Sequence, residues 1–123
     1  MYEYRAVVLH VVDGDTVDLA VSLGFETKTE TRFRLLGINT PESYGPDASP
    51  AGQAAKAFVQ AALPPGTAVV IRTEKDRKEK YGRYLATVFV CDAKGVPAIT
   101  SLNQQLVDLG HAKAYDGKGI KPV

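Results

Sequence analysis

"YRAVVLHVVDGDTVDLAVSL", residues 4–23, carries the pattern on which the fold turns. Two runs rich in Val and Leu flank an Asp-Gly step at Asp13 and Gly14. In the second run Val17, Leu19, Val21 and Leu23 alternate with residues that include Thr16, Asp18 and Ser22. A period of two marks a strand with one buried face. An Asp-Gly step between two such runs predicts a hairpin, with strands over 4–13 and 15–23.

Working outward, "KTETRFRLLGI" (28–38) predicts a third strand, with Phe33 and Leu35 on one face and Arg34 on the other. Gly24 and the polar "ETKTE" read as its connection. "NTPESYGPDASPAGQ" is dense in Pro, Gly and Ser and predicts an exposed loop. Ser49 suits an N-cap and Pro50 a first helical position, and Ala51, Ala54, Ala55, Phe58, Val59 and Ala62 continue as an apolar stripe. "LPPG" stops that helix.

"TAVVIRT" (67–73) and "YLATVFVCD" (84–92) predict two further strands around a polar excursion at 74–83. "TSLNQQLVDLG" predicts a second helix, with Ser101 and Gln104 as a capping box and Gly110 closing it. The segment after Gly110, with two Gly and a Pro, is expected to fray. About five strands and two helices predict a mainly β (α+β) fold, a small Greek-key barrel with helices packed on it.

At 123 residues the chain is expected to be one domain, and its 45% apolar and 24% charged residues are those of a globular protein. The net charge of +1 gives no global argument for a polyanionic partner. Cys91 is the only cysteine, which excludes an intrachain disulfide, and neither His10 nor His111 has a zinc-ligand partner at suitable spacing. "MYEYRAVVLHVVDGD" has neither the layout of a signal peptide nor that of a membrane span. The expectation from these residues is a soluble, intracellular chain unless an export signal precedes them.

Three segments carry groups that a fold alone does not need. "DGDT" (13–16) suits a tight turn, and equally a carboxylate ligand for a hard cation. Asn39, Thr40 and Glu42 suit an Asn-initiated turn; they also offer an amide oxygen, a carbonyl that Pro41 presents outward, and a carboxylate able to orient or deprotonate water. Residues 72–83 hold six basic residues against three acidic ones. With Arg34, Arg83 could clamp a phosphate and stabilise charge growing on it.

In this order "VVDGDTV", "FRLLGINTPES" and "KYGRYLA" together resemble the staphylococcal nuclease (thermonuclease) family, over about Val7 to Tyr115. The resemblance implies a five-stranded OB-fold barrel and a calcium-dependent phosphodiesterase. Such an enzyme cleaves DNA and RNA, single strands preferred, with little sequence specificity and leaves 3′-phosphates. It further implies Asp15, Asn39 and Thr40 as calcium ligands and Arg34, Glu42 and Arg83 as catalytic residues, with Lys80, Tyr81 and Tyr115 contacting substrate. Nucleic acid is then the partner, with no membrane and no obligate protein partner. The family usually has aspartate where this chain has Asn39, so weaker calcium binding is expected. The alternative is an OB-fold module that binds nucleic acid without cleaving it. Tyr44, Tyr81, Tyr84 and Tyr115 are candidate stacking surfaces.

Overall fold

A computed structural model describes residues 2–75 and 84–115. Five long strands form a closed barrel: β1 (Tyr2–Asp13), β2 (Thr16–Gly24), β3 (Thr27–Leu35), β5 (Ala68–Lys75) and β6 (Tyr84–Val90), in the order β1-β2-β3-β6-β5. All neighbours are antiparallel except β3 and β6, whose parallel pairing of Phe33 with Tyr84 closes the barrel. Two short strands, β4 (Ile38–Asn39) and β7 (Lys113–Ala114), make a separate antiparallel ribbon. The architecture is that of an OB-fold, as the order of elements predicts.

The period-two pattern does what it promised. Val17, Leu19, Val21, Phe33 and Leu35 all point into the core with Val8, Ile71 and Val88. Leu23 is the exception, exposed beyond the barrel's end. The β2–β3 connection is shorter than the polar run suggested. Strand pairing resumes at Thr27, leaving Phe25 (φ 54) and Glu26 (φ 62) to make the turn. Two positive φ angles match the right-handed twist of the flanking strands, although neither residue is the usual Gly or Asn.

The third strand ends at Leu35 rather than at 38, for a local reason. The Leu36 N–H makes the last bond of the parallel ladder, to the Ala86 carbonyl (2.8 Å), and the chain then turns at Gly37, φ +79. Only then does the chain resume as β4. Asn103 secures this corner from below: its Nδ2 donates to the carbonyls of Leu36 (2.9 Å) and Ala86 (3.0 Å), while its Oδ1 accepts from the Val88 N–H (3.0 Å). A buried amide with each partner supplied is a rigid fastener.

Helix α1 (Pro50–Ala62) begins as read: the Ser49 side chain accepts from the Gly52 N–H, and Pro50 opens the first turn. Its Val59 and the following Leu63 enter the core, where a fully buried Leu contributes roughly 1.5–3 kcal/mol. Helix α2 (Leu102–Asp108) is also capped as expected, the Ser101 side chain accepting from the Gln104 N–H. The Gln104 side chain donates instead to Asp108, so the box is half formed. Leu102 and Leu106 are fully buried.

The segment after Gly110 is ordered further than expected, because Lys113 and Ala114 pair with β4. Among the described residues no helix is long and apolar enough to cross a membrane.

Candidate active site

The site lies where the β1–β2 turn, the end of β3 and the loop after β4 meet. Register brings them together. Thr16 of β2 faces Arg34 of β3, and the Leu35 N–H donates to the Asp15 carbonyl (2.8 Å). Two residues remote in sequence thus become neighbours: Arg34 Nη2 lies 3.4 Å from Asp15 Oδ2. The same Nη2 donates to Asn39 Oδ1 at 2.6 Å. The Thr40 N–H points at Asp15 Oδ2 over 3.5 Å.

Arg34 is only 8% exposed, and its ion pair with Asp15 is largely out of water. A charge there needs compensation from several groups at once. Asp15 supplies a negative charge, Asn39 an oxygen, and Tyr115 a ring face 5.6 Å from the guanidinium carbon. Tyr115 is placed by the β4–β7 ribbon, its N–H donating to the Gly37 carbonyl (2.8 Å). Arg32, two residues earlier, points to the barrel's outside and pairs with Asp18 at 2.8 Å. The hydrogen bond from Arg32 holds the Asp18 carboxyl below its ordinary value, against the raising effect of partial burial.

Two glycines set the walls. A Cβ on Gly14 would sit 2.9 Å from Thr40 Oγ1 and 3.1 Å from the Ala55 Cβ, so the β1–β2 turn packs directly on the loop and on α1. Gly52 is tighter still: an added Cβ would overlap the Glu42 carbonyl, 1.8 Å from its oxygen. The Ser49 N–H donates to that same carbonyl (3.0 Å). The first turn of α1 therefore grips the backbone of Glu42. Neither glycine has a positive φ; the requirement is room alone.

Gly52→Ala tests that grip. Forcing a methyl group against backbone is expected to destabilise the fold by about 1–3 kcal/mol. It should also move Glu42, the residue expected to activate water, and for such a group an ångström of misplacement costs on the order of 100-fold in rate. Melting temperature and single-turnover cleavage measured on one preparation check both; wild-type values for both would remove Gly52 from the site's support.

The expected residues gather in part. Asp15, Arg34, Asn39, Thr40 and Tyr115 meet in one cluster. Glu42 stands two residues beyond Thr40, half-buried, and forms none of that cluster's hydrogen bonds. Lys80, Tyr81 and Arg83 lie outside the described residues. The loop after β4 is exposed over residues 44–48, as expected, but it begins buried: Thr40 is 2% exposed, and Asn39 of β4 just before it 1%. Of the other tyrosines, Tyr44 is exposed, and Tyr84 is exposed with its ring tilted against Phe33. Asp13, buried on the β1–β2 turn, accepts from the Gly14 N–H (2.8 Å), so the turn reading of the "DGDT" stretch holds for its first aspartate.

The donors suit a hard cation. Asp15, the Thr40 carbonyl and Glu42 offer oxygen alone. Among the described residues no three His, Cys, Asp or Glu side chains group closely enough to hold a metal by themselves. Asp15 and Glu42 are the two carboxylates among these donors. Among the described residues the buried side-chain polar atoms without a partner are Asn39 Nδ2, Thr40 Oγ1 and Ser43 Oγ. All three fall in one stretch of this loop, and orphaned buried groups in a native fold call for an explanation.

The family described as staphylococcal nuclease homologue matches residues 32–121. The chain belongs to that family. The staphylococcal nuclease match takes in the end of β3, the stretch carrying Asn39 to Glu42, and the segment through Tyr115. Among its relatives, thermonuclease of Staphylococcus intermedius is 38% identical over 69% of this chain and 48% of its own length. Endonuclease YhcR of Bacillus subtilis is 30% identical over 92% of this chain and 9% of its own. A Methanocaldococcus jannaschii protein, MJ1439, is 30% identical over 91% of this chain and 59% of its own. The chain thus spans less than two thirds of each of these staphylococcal nuclease relatives.

Proposed function

We propose that this chain is a nuclease, a calcium-dependent phosphodiesterase acting on DNA and RNA with single strands preferred and little sequence specificity. One observation carries the reading: Arg34, buried beside Asp15, sits where the β1–β2 turn meets the stretch that leads to Glu42. A guanidinium so held is ready for a phosphate, and a carboxylate beside it is ready for the cation that a phosphate brings. The names of two relatives, thermonuclease and endonuclease, agree with it.

Each residue then has a task. Arg34 and Arg83 hold the scissile phosphate and meet the negative charge that grows on its oxygens. Glu42 takes a proton from the attacking water as the water oxygen bonds to phosphorus. The bond from phosphorus to the 5′ oxygen breaks, that oxygen leaves with a proton, and the 3′-phosphate remains. Asp15 and the Thr40 carbonyl would hold a calcium ion, which when bound would screen the phosphate and favour attack by water. Lys80 and Tyr81 contact a terminal phosphate, and Tyr115 borders the nucleotide.

Incubation with single-stranded DNA and RNA, in calcium and in chelator, tests the proposal. Cleavage that chelator abolishes, with products ending in 3′-phosphate, is the expected result. Retained binding without cleavage would leave a nucleic-acid-binding module instead.

A further inference from the structure

The geometry points to Asn39 as a positioning residue for Arg34 and not as a ligand for the cation. This inference rests on the phosphate-binding reading of Arg34 given above. Asn39 is 1% exposed, and its side chain has a single oxygen, with two lone pairs. That oxygen accepts from Arg34 Nη2 at 2.6 Å, the shortest contact that Arg34 makes in the cluster. The amide cannot turn over to free it, because the turn would set Nδ2, a donor, against the guanidinium, which is donor-only.

What remains on Asn39 is Nδ2, buried and without a partner. Nitrogen of an amide has no lone pair available for a hard cation, so this atom offers calcium nothing. An aspartate would present a second oxygen in its place; the amide does not. The carbonyl's short bond is to Arg34, whose positive charge disfavours a cation on the second lone pair of that oxygen, and the –NH2 serves neither partner.

The arrangement has a use. A carboxylate against Arg34 would neutralise it as well as orient it. Asn39 orients the guanidinium by one short hydrogen bond and leaves its charge facing a substrate phosphate, with Asp15 alone, 3.4 Å away, pairing it. Two roles that one aspartate might combine are divided here: Asp15 serves the cation and pairs the arginine's charge, while Asn39 only orients the arginine.

The test reads binding, not turnover. Calcium alone is titrated calorimetrically into the wild type, Asn39→Ala, Asn39→Asp and Asp15→Asn. Inorganic phosphate is titrated in parallel while the Arg34 guanidinium nitrogens are followed by NMR. Asn39→Ala should leave the calcium dissociation constant within about threefold of wild type, weaken phosphate about tenfold, and collapse the resolved Nη signals of Arg34. Asn39→Asp, which keeps an acceptor for Arg34, should retain those signals, and it covers the case in which the alanine variant does not fold.

A tenfold or greater loss of calcium affinity in Asn39→Ala would overturn the inference. So would unchanged phosphate binding and an unchanged Arg34 spectrum. Asp15→Asn separates the underlying reading from this one. If that variant binds calcium as well as the wild type, or if the wild type binds none, the cation site proposed above fails. The Asn39 assignment is then decided by phosphate and the Arg34 signals alone.

Discussion

Glu42→Gln is expected to lower the rate of phosphodiester cleavage by on the order of 100- to 10,000-fold, the range for removing a general base. Gln keeps the length and shape of the side chain and can still hydrogen-bond to water, but it cannot accept a proton from it at neutral pH. The fold should not register the change. Glu42 is half-buried, makes no hydrogen bond within the Arg34 cluster, and is held by its backbone through Ser49 and the bare Cα of Gly52. Single-turnover cleavage of an oligonucleotide at saturating calcium, beside a thermal melt, measures both sides. A rate within a few-fold of wild type would exclude Glu42 as the base.

Arg34→Ala is expected to act on rate and stability together. Loss of one donor to the charge developing on phosphorus raises the barrier by about 2.7–4 kcal/mol, on the order of 100- to 1,000-fold in rate. Removing the guanidinium also leaves the Asp15 carboxylate and the Asn39 oxygen without their partner in a mostly buried cluster. Breaking a buried pair costs up to about 3–5 kcal/mol; Asp15, at 14% exposure, keeps some water and should lose less.

Arg34→Lys discriminates charge from geometry. One ammonium cannot reach Asp15, Asn39 and a phosphate together as a planar fork can, so the lysine variant should recover stability better than rate. Equal recovery of both would mean that Arg34 contributes charge only.

Much of the fold is legible in the sequence because its strands bury one face each. Val17, Leu19 and Val21, or Phe33 and Leu35, declare themselves by alternation alone, and Ser49 with Pro50 declares the start of α1. β7 does not, since two residues cannot show a period, and nothing in "HAKAYDG" marks a strand. Its existence depends on β4, a partner more than seventy residues away.

The site follows the same division. The residue types at Asp15, Arg34, Asn39 and Glu42 announce chemistry, but burial is a property of neighbours. Arg34 reads as the solvated face of a strand until the β4–β7 ribbon, with Tyr115, is seen to cover it. Gly52 reads as an incidental helix residue, and only the approach of the Glu42 carbonyl gives it a purpose. The role of Asn39 is hidden for a similar reason: a letter states that an oxygen is present, not which neighbour already holds it.

The pairing of Ile38 and Asn39 with Lys113 and Ala114 has a temporal consequence. During synthesis Asp15, Arg34 and Asn39 are all made well before the short strand β7, whose pairing with β4 places Tyr115 over Arg34. A growing chain therefore carries the Arg34 cluster uncovered, and the late pairing of β7 with β4 is what closes it.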